Sequence, residues 1–179
     1  RAEGRAPRIR ALVPLSDLDD LVFGAWDPIP DDAYTAAKKA GVLEDRDLEP
    51  IARFLKGIKP MPAVFENKYV TRINGKNVKK GKNNRDLAEQ LRQDMREFKK
   101  KNRCDRLVVV WCASTEIFIK AGPTHATVKA FEAAMERSDD SISPAMLSAW
   151  AAIMEGVPYC NGAPNLAVDT PALQHLALE

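Results

Sequence analysis

Two histidines are all that this chain of 179 residues contains. His125 and His175 stand fifty positions apart without a nearby carboxylate motif, so no metal site is expected. Cysteine is nearly as scarce. Cys104, Cys112 and Cys160 form an odd set with no C-x-x-C, and their strand-like or apolar neighbours predict reduced, buried thiols. Neither sign of charge predominates: 27 basic against 25 acidic groups leave +2, which excludes broad electrostatic attraction to nucleic acid or a membrane surface. No apolar run approaches the roughly 18 residues that span a bilayer. The opening RAEGRAPRIRALVP is basic but leads into no apolar stretch, and so does not read as a secretory leader. None of the nine glycines is spaced as G-x-G, the arrangement that cradles a dinucleotide pyrophosphate. Either the chain binds no dinucleotide, or the glycine-rich loop lies upstream of Arg1.

What is present has ordinary globular proportions, with 45% apolar and 29% charged residues in one domain's worth of chain. Arg1–Pro14 reads as a basic lead-in, and residues 15–179 as the domain. Leu21–Gly24 is expected to be a short strand ending at Trp26-Asp27. Pro28 and Pro30 break the chain before a helix over Ala33–Ala40, for which Gly41 is a natural C-terminal stop. A second short helix is expected over Leu48–Lys56. Tyr69–Ile73 has strand character, and Asn74-Gly75 carries a hairpin-turn signal. Five basic residues in Lys76–Arg85 make either a phosphate-facing loop or a solvated one.

Asn84–Lys101 is the clearest helix. Leu87, Leu91, Met95 and Phe98 fall on one face, Asn83 or Asn84 can cap the start, and three lysines suit the far end. Strand Arg106–Trp111 follows it directly. Further helices are expected over Thr124–Arg137, Ala145–Glu155 and Ala172–Leu178, the last two opened by Ser143-Pro144 and Thr170-Pro171. Val157–Cys160 is another short strand. Strands alternating with helices predict an α/β fold with parallel order.

Chemistry gathers where strands end. The β-branched run Leu107–Val110 leads through Trp111 into Cys112-Ala113-Ser114-Thr115-Glu116, as a buried parallel strand does on reaching a ligand crevice. Asp27 closes LVFGAWD, either as a turn residue or as a carboxylate for a ribose diol. Lys59-Pro60-Met61-Pro62-Ala63-Val64 is a rigid connector whose small Ala63 admits close approach by a ligand. Asn161-Gly162-Ala163-Pro164-Asn165 is either a tight turn or a place where backbone N–H groups reach a ligand unhindered. Cys112 has no basic partner adjoining it that would make it a nucleophile. Glu116 is a general base by residue type and an ion-pair or capping group by position.

These segments, in this order, resemble the inositol-3-phosphate synthase family, bacterial type, over about Val13–Leu178. The resemblance implies part of a Rossmann-like NAD-binding domain, a parallel sheet flanked by helices, in a cytoplasmic enzyme of inositol and phospholipid biosynthesis. It implies an NAD-dependent isomerase that cyclises glucose 6-phosphate to a myo-inositol phosphate, regenerates its cofactor and assembles as a homotetramer. Carried over position by position, the cofactor-binding residues are Asp27, Ala63, Val64, Cys112, Ala113, Ser114, Thr115, Gly162 and Ala163. The family more often has a second glycine where Ala25 stands. No segment matches the family's catalytic lysine motif, so the resemblance places no catalytic residue in this chain and implies that the chain alone is inactive. A non-catalytic α/β assembly module is the alternative.

Overall fold

The computed structural model describes residues 8–179, so the first half of the expected lead-in lies outside the described residues. A single turn, α1 (Ile9–Leu12), precedes an extended stretch. The strand expected over Leu21–Gly24 is absent: only Trp26 pairs, through an isolated parallel bridge to Met61. At Gly24 the backbone lies directly on Phe98, and a Cβ would come within 2.5 Å of the ring.

Helix α2 (Ala33–Ala40) forms as expected. The Asp32 carboxylate accepts the Thr35 N–H at 2.8 Å, and Gly41 ends the helix in the left-handed region at φ 63°. The next helical stretch starts earlier than its sequence suggests and is broken in the middle, into α3 (Asp45–Leu48), a 3₁₀ turn containing Pro50, and α4 (Ala52–Gly57). It returns the chain to Met61, parallel to Ala25–Asp27, with Met61 N–H on Ala25 O at 2.8 Å.

Neither the strand at Tyr69–Ile73 nor the hairpin at Asn74-Gly75 forms. Residues 67–72 turn, and Val78 instead bridges Ala63 in parallel. The local turn signal is overridden by a tertiary contact. Gly75 sits so close to Pro28 that a Cβ would meet its carbonyl oxygen at 2.2 Å, and Asn77 N–H donates to that same oxygen at 2.9 Å. Gly75 is therefore needed for close approach between two backbones.

The core forms around α5 (Asn84–Asn102) and α7 (Pro144–Met154). Ala88, Leu91 and Met95 make the buried stripe of α5, and Asn83 caps it by accepting the Asp86 N–H at 2.9 Å. Every residue of α7 from Pro144 to Ala152 is buried, as fits a helix that is apolar all round. Its small alanines let neighbours approach closely, and its largest side chain, Trp150, lies under the guanidinium of Arg85, 4.4 Å from the ring centroid. At the far end Glu155 receives both Arg92 and Arg96 at 2.6 Å, and these bonds hold its carboxyl below the usual carboxylate range. α6 (Val128–Glu136) closes one side of the core with Phe131, Ala134 and Met135, and α8 (Pro171–Leu176) adds Ala172 and Leu173.

Strands β1 (Val109–Trp111) and β2 (Tyr159–Asn161) pair in parallel, with Val109 opposite Tyr159 and Trp111 opposite Asn161. The parallel order is as the sequence predicts, but the strands are shorter and β1 is not buried on both faces. Val108 and Val110 are 66% and 56% exposed, whereas Leu107 and Val109 turn toward the core. Period-two alternation on a sheet covered from one side puts every second residue in the open. The same geometry corrects the expectation for the cysteines: Cys160, paired with Val110, and Cys112 are exposed, and Cys104 is half-buried. All three are free thiols.

Candidate functional site at the strand ends

Because β1 and β2 run parallel, their carboxyl ends emerge side by side. The Gly162 N–H donates to Trp111 O at 2.8 Å and extends the pairing one step beyond the strands. Cys112–Thr115 and Gly162-Ala163 therefore leave the sheet at adjoining points. A Cβ on Gly162 would lie 3.0 Å from the Trp111 carbonyl, tight enough to account for glycine there. The N–H groups of Gly162 and Ala163 are both bonded within the chain, the second to Asn161 Oδ1 at 3.1 Å. What these residues offer a ligand is a small, closely approachable surface.

Asp27, Ala63 and Val64 belong to a second cluster. Asp27 N–H donates to Met61 O at 3.2 Å, and Ala63 bridges Val78 on the next segment. Ala63 is buried and Val64 belongs to the core, whereas Asp27 is exposed. One Asp27 oxygen, Oδ1, accepts the Ile29 N–H at 2.8 Å, which is the turn role its sequence position allows. Asn77 supports the same corner by donating to Asp27 O at 2.9 Å and Met61 O at 3.2 Å.

Asp94 escapes notice in the sequence, where it is one polar residue among many on α5. Its Oδ2 accepts the Trp26 indole N–H at 2.6 Å and pairs with the Lys79 ammonium at 2.7 Å. The Lys79 side chain is only 8% exposed. At least this part of the basic loop is thus neither solvated nor phosphate-facing. Its signal could have been read only by knowing that Trp26, Lys79 and Asp94 converge.

Glu116 resolves into a capping group. Its carboxylate accepts the Ala145 N–H at 3.0 Å at the start of α7, and its own N–H donates to Asn165 Oδ1 at 3.0 Å. Asn165 O in turn accepts Asn161 Nδ2 at 2.9 Å, so the loops after β1 and β2 are tied together. Burial pushes the Glu116 carboxyl up, against the opposing effects of Ser143 and the Ala145 N–H. A carboxyl raised on folding binds its proton more tightly in the folded than in the unfolded state. Stability therefore falls as pH rises from its ordinary value through the raised one. Glu116→Gln keeps an acceptor for Ala145 while removing the buried charge. Its melting temperature should equal or exceed that of the parent at pH 7, and the gap should close as the carboxyl becomes protonated in both states at low pH. Thermal melts across that range check it; a large loss at pH 7 would mean that the charge itself secures α7.

His125 is buried between Gly122 and Ser141. Its Nδ1 accepts the Gly122 N–H at 3.0 Å, and its Nε2 lies 2.9 Å from Ser141 O, which fits a neutral ring serving a structural turn. Among the described residues no cluster of histidine, cysteine or carboxylate side chains could hold a metal ion. Nor is any described helix long and apolar enough to cross a membrane.

Two clefts open where the strands end. One, of about 410 Å³, lies between Ile117–Ala121 and the loop that carries Ala163 and Asn165. The other, of about 340 Å³, lies between Tyr69–Ile73 and Ser114–Ile117. Ile117 lines both, and its N–H donates to Tyr69 O at 2.8 Å.

Comparison with known proteins gives these features a context. The family model described as myo-inositol-1-phosphate synthase, an NAD-binding domain, matches residues 1–179. Inositol-3-phosphate synthase 1 of Bacteroides thetaiotaomicron is 49% identical over 166 residues, which are 92% of this chain and 39% of that protein. Inositol-3-phosphate synthase of Trypanosoma brucei brucei is 36% identical over 161 residues, 88% of this chain and 30% of the relative. The crystal structure of inositol-3-phosphate synthase from Caenorhabditis elegans superposes with a TM-score of 0.88 at 28% identity, over 94% of this chain and 34% of that one. The chain thus spans about a third of the length of the proteins it matches.

Proposed function

The chain belongs to the myo-inositol-1-phosphate synthase family, and from that premise we propose that its strand ends hold NAD within an enzyme that cyclises glucose 6-phosphate to a myo-inositol phosphate. One observation carries the proposal: the Gly162 N–H on Trp111 O brings the loops after β1 and β2 to one edge, where open parallel sheets take their ligands. The residues fit a dinucleotide chemically. Ala113 and Ala163 leave room for close approach, Ser114 and Thr115 offer exposed hydroxyls, and Asp27 keeps Oδ2 for a ribose diol after Oδ1 has served its turn. Ala63 and Val64 complete the groove as backbone, and Cys112 lines it without acting as a nucleophile.

When bound, NAD supplies reversible hydride acceptance. This chain's part is to orient the cofactor and limit its exposure to water, using loops whose positions are fixed by Glu116 and Asn165. In this reading residues 15–179 are part of a Rossmann-like domain, and the parent enzyme works as a tetramer in the cytoplasm.

Titration of NAD into the 15N-labelled full-length parent enzyme, which supplies the glycine-rich loop this chain lacks, tests the groove. The amides of Ala113, Ser114 and Ala163 should shift together along one saturable curve. An NAD titration that leaves both Ala113 and Ala163 unmoved would overturn the assignment.

A further inference from the structure

The cleft between Tyr69–Ile73 and Ser114–Ile117 contains one group that no sequence motif singles out, the guanidinium of Arg72. Arg72 is exposed and makes no ion pair among the described residues. The other polar groups lining the cleft divide into two kinds. Some are already engaged: the Tyr69 hydroxyl lies 3.1 Å from both Asp140 O and Ile142 O, and Glu116 is buried on the Ala145 N–H. The remainder are the hydroxyls of Thr71, Ser114 and Thr115, for which no hydrogen-bond partner occurs among the described residues.

We propose that Arg72, together with the hydroxyls of Ser114 and Thr115, forms a phosphate-binding subsite at the carboxyl end of β1. A planar guanidinium presents paired donors matched to two oxygens of a phosphate, and neighbouring hydroxyls serve the oxygens that remain. The only carboxylate lining the cleft is occupied elsewhere, so the accessible charge of the site is positive. A carboxylate ligand would satisfy the guanidinium and leave the hydroxyls idle. The subsite deepens the NAD reading and rests on it for Ser114 and Thr115 as ligand-facing residues. Its phosphate comes either from the dinucleotide or from the sugar phosphate.

The test is a set of titrations of the 179-residue chain with inorganic phosphate, glucose 6-phosphate, NAD, acetate and nicotinamide riboside. They are followed at the Ser114 and Thr115 amides and the Arg72 side-chain N–H. Saturable shifts are expected with the phosphate-bearing probes, weakening with salt. Arg72→Gln should weaken them at least tenfold with an unchanged melting temperature, since Arg72 is exposed and supports no other residue. Arg72→Lys should fall between, keeping the charge without the fork. Tighter binding of NAD than of glucose 6-phosphate assigns the subsite to the cofactor, and the reverse order assigns it to the sugar phosphate; both uphold it. Equal shifts with acetate or nicotinamide riboside, or unchanged phosphate binding in Arg72→Gln, would overturn it. The NAD reading has its own readout in the shifts at Ala113 and Ala163, so either idea can fail without the other.

Discussion

Asp94→Ala is expected to cost about 3–5 kcal/mol of stability, the usual penalty for removing one partner of a buried ion pair. For a chain of this size that corresponds to a fall of roughly 10 °C in melting temperature. The change leaves two donors without a partner. The Lys79 ammonium, 8% exposed, loses its only ion-pair partner among the described residues, and the Trp26 indole N–H loses its acceptor. Both lie under the corner that presents Asp27, so loosening should spread to the Ala25–Asp27 and Met61–Ala63 segments that pair beside it. The double variant Lys79→Met with Asp94→Leu should recover much of the loss, because it removes the stranded charge along with its partner. Denaturant melts of both variants decide the matter. A single-variant loss below about 1 kcal/mol would place the pair among solvent-screened surface bridges.

The second large effect concerns affinity. Asp27→Asn should weaken NAD binding about ten- to a hundredfold while leaving the melting temperature unchanged. It retains an Oδ1 acceptor for the Ile29 N–H but gives up the charge that strengthens a bond to a ribose hydroxyl. Asp27→Ala should weaken NAD to a similar extent and also lower stability slightly, since the turn bond goes as well. The two variants separate the roles that one side chain combines. If Asp27→Asn binds NAD as the parent does while Asp27→Ala melts earlier, Asp27 is a turn residue alone.

The helices were the part most legible in the sequence. Asp32 with Gly41, Asn83 with its apolar stripe and Ser143-Pro144 each specify a start, a stop or a buried face through bonds spanning only a few residues. The polar segments after each strand were legible as well, because chain order places them and the parallel pairing of β1 with β2 brings them together. Tyr69–Ile73 and Asn74-Gly75 were misleading for the opposite reason. Their strand and hairpin signals are worth little beside the seating of Gly75 and Asn77 on Pro28, nearly fifty residues earlier.

By itself, then, the sequence determined the capped helices, the α/β alternation and the places where ligand-facing loops begin, since these depend on near neighbours and on a repeat of 3.6 or 2 residues. It also carried the family resemblance that the comparisons bear out. Only the tertiary structure decided which polar side chains have other duties. Glu116 was a possible base until the start of α7 was brought onto it, Lys79 one more surface lysine until Asp94 met it, and Cys160 a buried thiol until its face of the sheet proved open. Burial and pairing are properties of two segments at once, and the distance between such segments along the chain carries no sign of their meeting.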